Sequence, residues 1–419
     1  MAQQENIEVL KFGGSSLADV EKLKRVAEYI QEKVETGKKV AVVVSAMGSK
    51  TDDLISLNRE ICQNSASAPE ETDKLLVTGE MQSAALLARV LVGLGLHARS
   101  LNGVELGLEI DSTYRTINRI RNVDIITEFF KTYDVLVITG FQGVMQGTEN
   151  RFITIGRGGS DLTAIVLSSV LGLKQCFIYT DVDGFYAVDP RVVPMAKRFN
   201  KITFEQALSL TQTGVGVLMD RCVSLAYKLG IEIKLMLSPS LGSSTGGTLI
   251  FSGSSLEEIE YPLHRAHQNG LAVQKLGLIK VSNIPNVPGM ASKIFEAIQY
   301  INIIDSDQSL GEKTAEISIL YLPDDSEKVM SSLERLKQAE QALSEINIVN
   351  SIKVVGLTLV SLVMRYTPGY LYRTFKVMAE GKINIEMYSS SGNTILVVVK
   401  EEYLQEASEA LGKEFNLVS

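Results

Sequence analysis

The sequence predicts an α/β chain: a layered domain with a mainly parallel central sheet, followed by two smaller α+β units. Over the first 250 residues, short β-branched runs alternate with longer stretches in which apolar residues recur at helical spacing. Near residues 255–265 this alternation gives way to serine, glycine and charge. Beyond it a Pro-Gly pair occurs at Pro288 and again 80 residues later at Pro368, and each copy later reaches Ile-Asn-Ile.

The first domain contains strand and helix candidates in alternation. The strand candidates are Val9–Phe12, Lys39–Val44, Val135–Thr139, Cys176–Thr180 and Ile231–Leu237, with a further strand-like run at Gly247–Phe251. The helix candidates between them are Leu17–Val34, Asp73–Leu94, Leu162–Leu171 and Val217–Leu229. Ligands of such folds bind at the carboxyl ends of parallel strands, so we expect the site in strand-to-helix loops.

The patterns divide the chain into three predicted domains. Their ranges are 1–255, 265–347 and 348–419, and strands may be exchanged between the last two. Each of these two is a strand–turn–helix–strand repeat, for which chance matching of common residues is the alternative explanation. A chain of 419 residues is long enough to bury a core in each domain.

The composition is that of an ordinary globular protein and excludes several function classes. Hydrophobic residues at 45% and charged residues at 21% argue against long disorder. The net charge of −8 and the lack of a basic patch argue against nucleic acid as a partner. Three cysteines and three histidines are too few for a disulfide framework or a zinc site. We expect a cytoplasmic protein with no membrane segment, because the apolar runs are short and no leader pattern is visible.

The first candidate site is the motif Lys11-Phe12-Gly13-Gly14-Ser15-Ser16, at a predicted strand-to-helix turn. Glycines let backbone N–H groups approach an anion, and the N-terminus of a helix adds partial positive charge. Lys11 adds a full charge, so the motif is typical of an anion-binding loop. From these residues alone, an equally good alternative is a tight turn in which Ser16, helped by Asp19, caps the helix.

Two further clusters lie beside predicted elements: Gly156–Asp161 directly precedes the helix candidate Leu162–Leu171, and Tyr179–Tyr186 leaves the strand candidate Cys176–Thr180. In Gly156–Asp161 an arginine, which can grip a carboxylate through two parallel hydrogen bonds, lies among glycines and beside an acid. Tyr179–Tyr186, continuing to Asp189–Arg191, combines polar groups, an aromatic ring and an arginine that suit a nucleotide; the alternative is a turn-rich surface loop. The P-loop, Rossmann and protein-kinase motifs are absent from the sequence.

Taken together, six motifs resemble the aspartokinase family, a branch of the amino-acid kinases whose chains continue into two ACT domains. The motifs are Lys11–Ser16, Val42–Met47, Thr78–Glu80, Gly140–Gly143, Gly156–Asp161 and Thr180–Arg191, in the family's order and spacing. The resemblance covers essentially the whole chain. It implies an amino-acid-kinase-type domain that transfers a phosphoryl group from Mg-ATP to the side-chain carboxylate of L-aspartate, the entry step to lysine, threonine and methionine. Such a nucleophile is already ionised at pH 7, so the site needs no general base.

The resemblance also implies residue roles. The implied catalytic residues are Lys11, on the β- and γ-phosphates, and Asp161, which orients Lys11 and helps organise the Mg-bound phosphates. The implied aspartate contacts are Ser45, Glu80 on the α-ammonium, Arg157 on a carboxylate, and Ser160. The implied nucleotide contacts are Lys11, Gly13, Gly14, Ser15, Thr180, Asp181, Tyr186 and Arg191. No protein ligand to a metal is implied. Without the resemblance, Glu80 would be interpreted as a solvated helix charge.

The chain departs from the family pattern in its catalytic and regulatory parts. Gly216 stands where a lysine near the nucleotide is common, which puts nucleotide affinity in question. Asn286 stands where an aspartate usually binds the ammonium of an effector, whereas Gln308 matches a residue that contacts the effector. We expect Asn286, Pro288, Gly289 and Gln308 to bind the effector.

The second Pro-Gly turn is followed by the bulky Tyr370, Leu371 and Tyr372, which we expect to fill the second effector pocket. The resemblance implies feedback by lysine or threonine, and a homodimer or dimer of dimers formed through the ACT domains. Two alternatives remain at this stage: a kinase for a different small carboxylate, and a non-catalytic amino-acid sensor.

Overall fold

The structure, a computed structural model, describes residues 6–61, 68–156, 158–212, 217–242, 246–253, 269–361, 364 and 367–418. Two predicted functional positions, Arg157 and Gly216, lie outside these residues, as does the whole predicted boundary at 255–265. The chain forms two compact units. Unit 1 comprises Met1–Phe185, Arg198–Thr211 and Gly216–Leu256, and unit 2 comprises Tyr186–Lys197, Gln212–Val215 and Glu257–Ser419.

The described residues up to Phe251 form twelve strands and seven helices. The strands are β1 (Ile7–Phe12), β2 (Lys39–Val44), β3 (Ala98–Leu101), β4 (Leu108–Ile110), β5 (Ile117–Ile120), β6 (Val135–Thr139), β7 (Gln142–Met145), β8 (Phe152–Thr154), β9 (Gln175–Thr180), β10 (Lys201–Thr203), β11 (Glu232–Leu237) and β12 (Thr248–Phe251). The helices are α1 (Val20–Glu35), α2 (Lys50–Ile61), α3 (Pro69–Gly93), α4 (Val123–Phe129), α5 (Gly159–Val170), α6 (Phe204–Gln212) and α7 (Asp220–Leu229).

The main sheet of unit 1 has eight strands in the order β10-β12-β11-β9-β1-β2-β6-β3. All neighbouring pairs are parallel except β11 with β12, so the predicted mainly parallel sheet is confirmed. β2 and β6 are buried along almost their whole length because their side chains are apolar on both faces, and together with β1 they pack against α1 and α3. The carboxyl ends of β1, β2, β6 and β9 therefore lie along one edge of the sheet.

The predicted starts of helices differ from the observed ones. The candidate Leu17–Val34 begins with a 3-10 turn at Gly14–Leu17, and α1 starts only at Val20, where Asp19 accepts a hydrogen bond from Lys22 N at 2.9 Å. Asp19 is thus the cap of α1, and Ser16 lies in the preceding turn. Apolar periodicity fixes the body of a helix but not its end, because capping is set by one polar residue.

A second sheet in unit 1, of order β5-β4-β7-β8, is absent from the prediction. Its strands have three or four residues each, too short for an alternating pattern to be visible. The sheet matters for the site because β8 leads into Gly156 and α5.

One helix of the described residues, α3, is long and apolar enough to cross a membrane by length and composition. Half of its apolar window is buried inside the protein, where it packs against β3, β6 and β8. It also carries buried charged residues, Asp73 and Glu80. These features are those of a core helix.

Unit 2 is built on one six-stranded antiparallel sheet of order β14-β15-β13-β16-β18-β17. Its strands are β13 (Gly270–Pro285), β14 (Ile303–Leu310), β15 (Thr314–Tyr321), β16 (Asn347–Val360), β17 (Met387–Ser390) and β18 (Thr394–Lys400). Its helices are α8 (Met290–Ala297), α9 (Ser326–Ala339), α10 (Tyr370–Glu380) and α11 (Leu404–Glu414).

The two long strands β13 and β16 run through both repeats of unit 2. Gly277–Pro285 pairs with β15 of the first repeat, whereas Val354–Val360 of β16 pairs with β18 of the second. A separate apolar cluster fills the first repeat between the sheet, α8 and α9. The repeats therefore share strands within a single sheet.

Unit 2 also contains the segment Tyr186–Lys197, which follows β9 by six residues. Ala187 O accepts a hydrogen bond from Leu271 N at 2.6 Å, and Lys197 N donates to Leu417 O at 2.9 Å. Val188 and Ala196 form isolated bridges with Leu271 and Val418. The segment is thus held by backbone hydrogen bonds to β13 and to the C-terminal residues.

Candidate active site

The centre of the candidate site is a buried ion pair. Lys11 Nζ lies 2.7 Å from Asp161 Oδ1, and each residue is 8% exposed. Lys11 is the second-last residue of β1, and Asp161 is in the first turn of α5, whose N-cap is Gly158 at φ +71°. A cation beside a helix N-terminus gives this point a positive field suited to an anion.

The loop after β1 is held against the loop after β2. Ser45 N donates to Phe12 O at 3.2 Å, and Gly48 N donates to Gly14 O at 2.9 Å. A Cβ at Gly14 would lie 2.6 Å from Ala46 O, so only glycine permits this approach. Gly13 has more room, since a Cβ there would lie 3.6 Å from Lys11 Nζ. The structure therefore brings Lys11, the glycine turn and Ser45 together.

Glu80 enters the same region from α3. It is 3% exposed, and its Oε1 accepts a hydrogen bond from Ala46 N at 3.1 Å. Among the described residues, its other oxygen, Oε2, has no hydrogen-bond partner. Burial raises the pKa of Glu80 from 4.5 to about 7, against the lowering effect of the Ala46 hydrogen bond. A buried carboxylate with one oxygen that lacks a hydrogen-bond partner is suited to bind a cationic group of a ligand.

A further part of the candidate site is the turn from β8 into α5. Ile155 N donates to Phe141 O at 2.8 Å, and Gly156 and Gly158 both have positive φ. Ser160 packs against Gly140, where a Cβ would lie 2.6 Å from that of Ser160. The structure therefore places Ser160 beside the end of β6, next to Asp161.

The predicted nucleotide residues fall into two places. Thr180 ends β9 and donates to Asp181 Oδ1 at 3.0 Å, in unit 1. Tyr186 and Arg191 belong to the Tyr186–Lys197 segment of unit 2. Arg191 is exposed and forms an ion pair with Asp189, with Nη2 2.9 Å from Oδ2.

The four predicted effector residues line one cavity of about 290 Å³ in the first repeat of unit 2. Asn286, Pro288 and Gly289 form one wall, and Gln308 with Leu310 forms another. Asn286 Nδ2 donates to Gly311 O at 2.8 Å, which leaves its carbonyl oxygen as the acceptor for a ligand. Gly289, at φ +94°, is the N-cap of α8.

In the second repeat, the side chain that follows the Pro-Gly turn is buried. Gly369, at φ +96°, caps α10 as Gly289 caps α8. The next residue, Tyr370, is 5% exposed, and its ring stacks on Phe415 at 5.4 Å between centroids. Its hydroxyl donates to Asn269 Oδ1 at 3.1 Å and lies 3.2 Å from Ser361 Oγ. Leu371 and Tyr372 are instead exposed, so Tyr370 alone of the three predicted residues is buried.

Sequence reasoning missed several residues that support the site. Asp73, Arg115 and Thr154 form a hydrogen-bonded cluster at the end of β8. Arg221, in α7, donates to Ile155 O at 3.1 Å beside the same turn. The available signal was an acid, Asp73, on a mostly apolar face of α3 that also carries Glu80, but its partners are 42 and 81 residues away in the sequence.

Comparison with protein families and characterised relatives gives a consistent result. Residues 6–236 match the amino acid kinase family, and residues 357–415 match the ACT domain. The aspartokinase of Mycolicibacterium smegmatis is 34% identical over 98% of this chain and 96% of its own. The aspartokinase of Pseudomonas aeruginosa is 35% identical over 98% of this chain and 97% of its own.

Solved structures of similar fold agree with the sequence relatives. The aspartate kinase from Synechocystis is 30% identical with a TM-score of 0.52, over 98% of this chain and 70% of its own. The aspartate kinase of Clostridium acetobutylicum has a TM-score of 0.73 at 22% identity, over 98% of this chain and 100% of its own. E. coli aspartokinase III, in complex with aspartate and ADP, has a TM-score of 0.69 at 22% identity, over 97% and 99% of the two chains. At 22% identity the last two show the fold alone.

Proposed function

The chain belongs to the aspartokinases of the amino acid kinase family, and on that premise we propose which residues carry out its reaction. The reaction is ATP-dependent phosphorylation of the side-chain carboxylate of L-aspartate. An ionised oxygen attacks the γ-phosphorus, and the bond to the β–γ bridging oxygen breaks as ADP leaves. Because this needs no proton transfer from the nucleophile, the protein has only to align the reactants and neutralise charge.

The ion pair of Lys11 with Asp161 is the observation that carries the proposal for catalysis. Its place at the end of β1 and the start of α5 puts a held cation where phosphates would meet backbone N–H groups. Lys11 stabilises the charge that develops on the transferring phosphoryl group, and Asp161 holds the ammonium in place. Gly13, Gly14 and Ser15 supply the loop for the phosphates. Mg²⁺ arrives as part of the Mg-ATP substrate, since it favours phosphate oxygens and water.

Glu80 carries the proposal for aspartate recognition. Its unpartnered buried oxygen accepts the α-ammonium of aspartate, and its other oxygen stays on Ala46 N. Ser45 and Ser160 add hydroxyl groups from neighbouring walls. Arg157, assigned from its motif, grips a substrate carboxylate through two parallel hydrogen bonds.

We assign the nucleotide's remaining contacts to Thr180, Asp181, Tyr186 and Arg191. Thr180 ends β9 and Asp181 follows it, and because β9 is the parallel neighbour of β1, both lie at the same edge of the sheet as the end of β1. For Arg191 to bind phosphate, its guanidinium must turn from Asp189, at the small cost of an exposed ion pair.

Regulation is proposed for the cavity bounded by Asn286, Pro288, Gly289 and Gln308. Its volume suits a small amino acid, and the Asn286 carbonyl oxygen would accept a hydrogen bond from an ammonium group. We propose lysine or threonine as the feedback effector.

We also propose a homodimer or dimer of dimers that forms through the ACT sheet, because its edge strand β14 offers unpaired backbone groups. We propose a cytoplasmic location for the protein.

The testing experiment traps the acyl phosphate product with hydroxylamine. Purified protein and Mg-ATP are incubated with aspartate, glutamate or N-acetylglutamate in turn, and the hydroxamate is measured. We expect hydroxamate with aspartate alone. Product with glutamate or N-acetylglutamate instead would show that the enzyme phosphorylates a different acceptor. No product with any of them, together with amino-acid binding, would make the protein a sensor.

A further inference from the structure

A buried carboxylate outside the substrate pocket fixes the end of β8. Asp73, 4% exposed, lies near the start of α3. Its Oδ1 accepts hydrogen bonds from Thr154 Oγ1 at 2.7 Å, Thr154 N at 3.3 Å and Arg115 Nη1 at 2.7 Å. The same Arg115 nitrogen donates to Thr154 O at 2.9 Å and to Thr154 Oγ1 at 2.8 Å. The backbone and the hydroxyl of Thr154 are thus held by one acid and one base.

Arg115 lies in a tight turn. Its φ is +51°, a left-handed conformation that costs a residue with a Cβ about 1 kcal/mol. The turn is held by Asp111, whose Oδ1 accepts from Thr113 N at 2.8 Å and Tyr114 N at 2.7 Å. Such a backbone persists where its surroundings fix it. Here Arg115 N also donates to Asp111 O at 3.0 Å, and the Arg115 side chain is held by Asp73 and Thr154.

The same helix carries the proposed ammonium ligand. Asp73 and Glu80 are seven residues apart on α3, which places them on one face about 10 Å apart along the helix axis. Glu80 binds the loop of Ser45 through Ala46 N, and Asp73 binds the last residue of β8. Thr154 precedes Arg157 by three residues in the sequence. One rigid element therefore connects two walls of the aspartate pocket.

We propose that Asp73, with Arg115, is a positioning residue for aspartate. It sets the distance between Glu80 and the turn that follows β8, and so the fit of the pocket to the amino acid. It does not touch the substrate, and its effect passes through Thr154. The inference rests on the proposed roles of Glu80 and Arg157 in binding aspartate.

The test is a comparison of KM values for aspartate and ATP in the hydroxamate assay, with thermal unfolding of each variant. We expect Asp73→Ala to raise the aspartate KM about ten-fold, as for loss of a buried charged hydrogen-bond acceptor, and to change the ATP KM less than about two-fold. Asp73→Asn keeps an acceptor oxygen and is expected to recover most of the aspartate affinity. This rescue separates positioning from a loss of packing.

Glu109 offers a matched control in the same four-stranded sheet. It is 5% exposed and binds Arg119 at 2.6 Å and Arg121 at 3.3 Å, in contacts away from Thr154. Glu109→Ala is expected to lower the unfolding temperature without raising the aspartate KM. The proposal is overturned if Asp73→Ala leaves the aspartate KM unchanged, changes both KM values alike, or matches Glu109→Ala.

Two further comparisons keep the test decisive. If Asp73→Ala does not fold, Thr154→Val, which removes only the hydroxyl, must raise the aspartate KM, and Thr154→Ser must restore it. Arg157→Lys and Glu80→Gln are measured alongside. If these two variants raise the aspartate KM and the Asp73 and Thr154 variants do not, the positioning role of Asp73 is wrong but the pocket assignment stands. If they leave it unchanged, the pocket assignment fails and the inference falls with it.

Discussion

At the scale of single residues, the burial of Glu80 makes aspartate binding depend on pH. Burial raises the pKa of Glu80 to about 7, so the free enzyme holds the carboxyl largely protonated at pH 6 and largely ionised at pH 8. Only the ionised form pairs with an ammonium. We therefore expect the aspartate KM to fall about ten-fold from pH 6 to pH 8, as the ionised fraction rises.

The measurement is initial rate against aspartate concentration at each pH, with ATP saturating. Glu80→Gln is the control variant, because it keeps the shape of the side chain but cannot ionise. A wild-type KM that is flat across this range, or an equal pH slope in Glu80→Gln, would remove Glu80 from the ammonium site.

A second prediction at this scale concerns the Lys11–Asp161 pair. Lys11→Ala is expected to lower kcat at least about 100-fold, because it removes charge stabilisation from the transferring phosphoryl group. It also leaves the buried Asp161 carboxylate unpaired, at a cost of about 3 kcal/mol in the free energy of unfolding.

Adding Asp161→Asn to Lys11→Ala separates the two effects. The double variant is expected to regain stability in denaturant unfolding and to stay inactive. Recovery of kcat in the double variant, or normal kcat in Lys11→Ala, would contradict a catalytic role for Lys11.

At the scale of elements, the two adjacent glycines of the turn after β1 are expected to differ in how well they tolerate substitution. A Cβ at Gly14 would lie 2.6 Å from Ala46 O and 3.0 Å from Gly48 O, both backbone atoms that cannot move alone. We expect Gly14→Ala to cost about 2 kcal/mol in unfolding free energy and to raise the ATP KM. Gly13→Ala, with nothing closer than 3.6 Å, is expected to cost less than about 1 kcal/mol. Equal losses in urea unfolding would show that close approach is not the reason for Gly14.

The sequence predicts elements well where the chain is apolar on both faces. The ranges Lys39–Val44 and Val135–Thr139 are observed unchanged as β2 and β6, because buried parallel strands are continuous apolar runs. β8, with three residues, has no such run, although it positions the turn into α5. The burial of Glu80 was likewise not predictable from its neighbours, since the group it contacts, Ala46 N, comes from a loop 34 residues away.

At the scale of the whole molecule, the two repeats of unit 2 have matching helix caps, but we expect only one of them to bind an effector. The caps Gly289 and Gly369 match, yet the first repeat has a cavity beside its cap, whereas the residue after the second cap, Tyr370, is buried, and we expect it to fill the corresponding place. We expect calorimetric titration with lysine or threonine to show one molecule bound per chain. Asn286→Ala is expected to weaken binding about ten-fold.

The matched variant for this prediction is Tyr370→Phe. It removes the hydroxyl contacts with Asn269 and Ser361 but keeps the ring, so binding is expected to stay at one molecule per chain. Two molecules per wild-type chain, or unchanged affinity in Asn286→Ala, would refute a single site at Asn286.

The Tyr186–Lys197 segment has a consequence for how the regulatory half can be exchanged between relatives. Its backbone partners are Leu271 of β13 and Leu417 near the C-terminus, so part of the regulatory unit is encoded between β9 and β10. A chimera joined once near residue 256 would pair this segment with foreign sequence on both sides. Functional transplantation of the regulatory half therefore requires two grafts, the C-terminal residues and this insertion together.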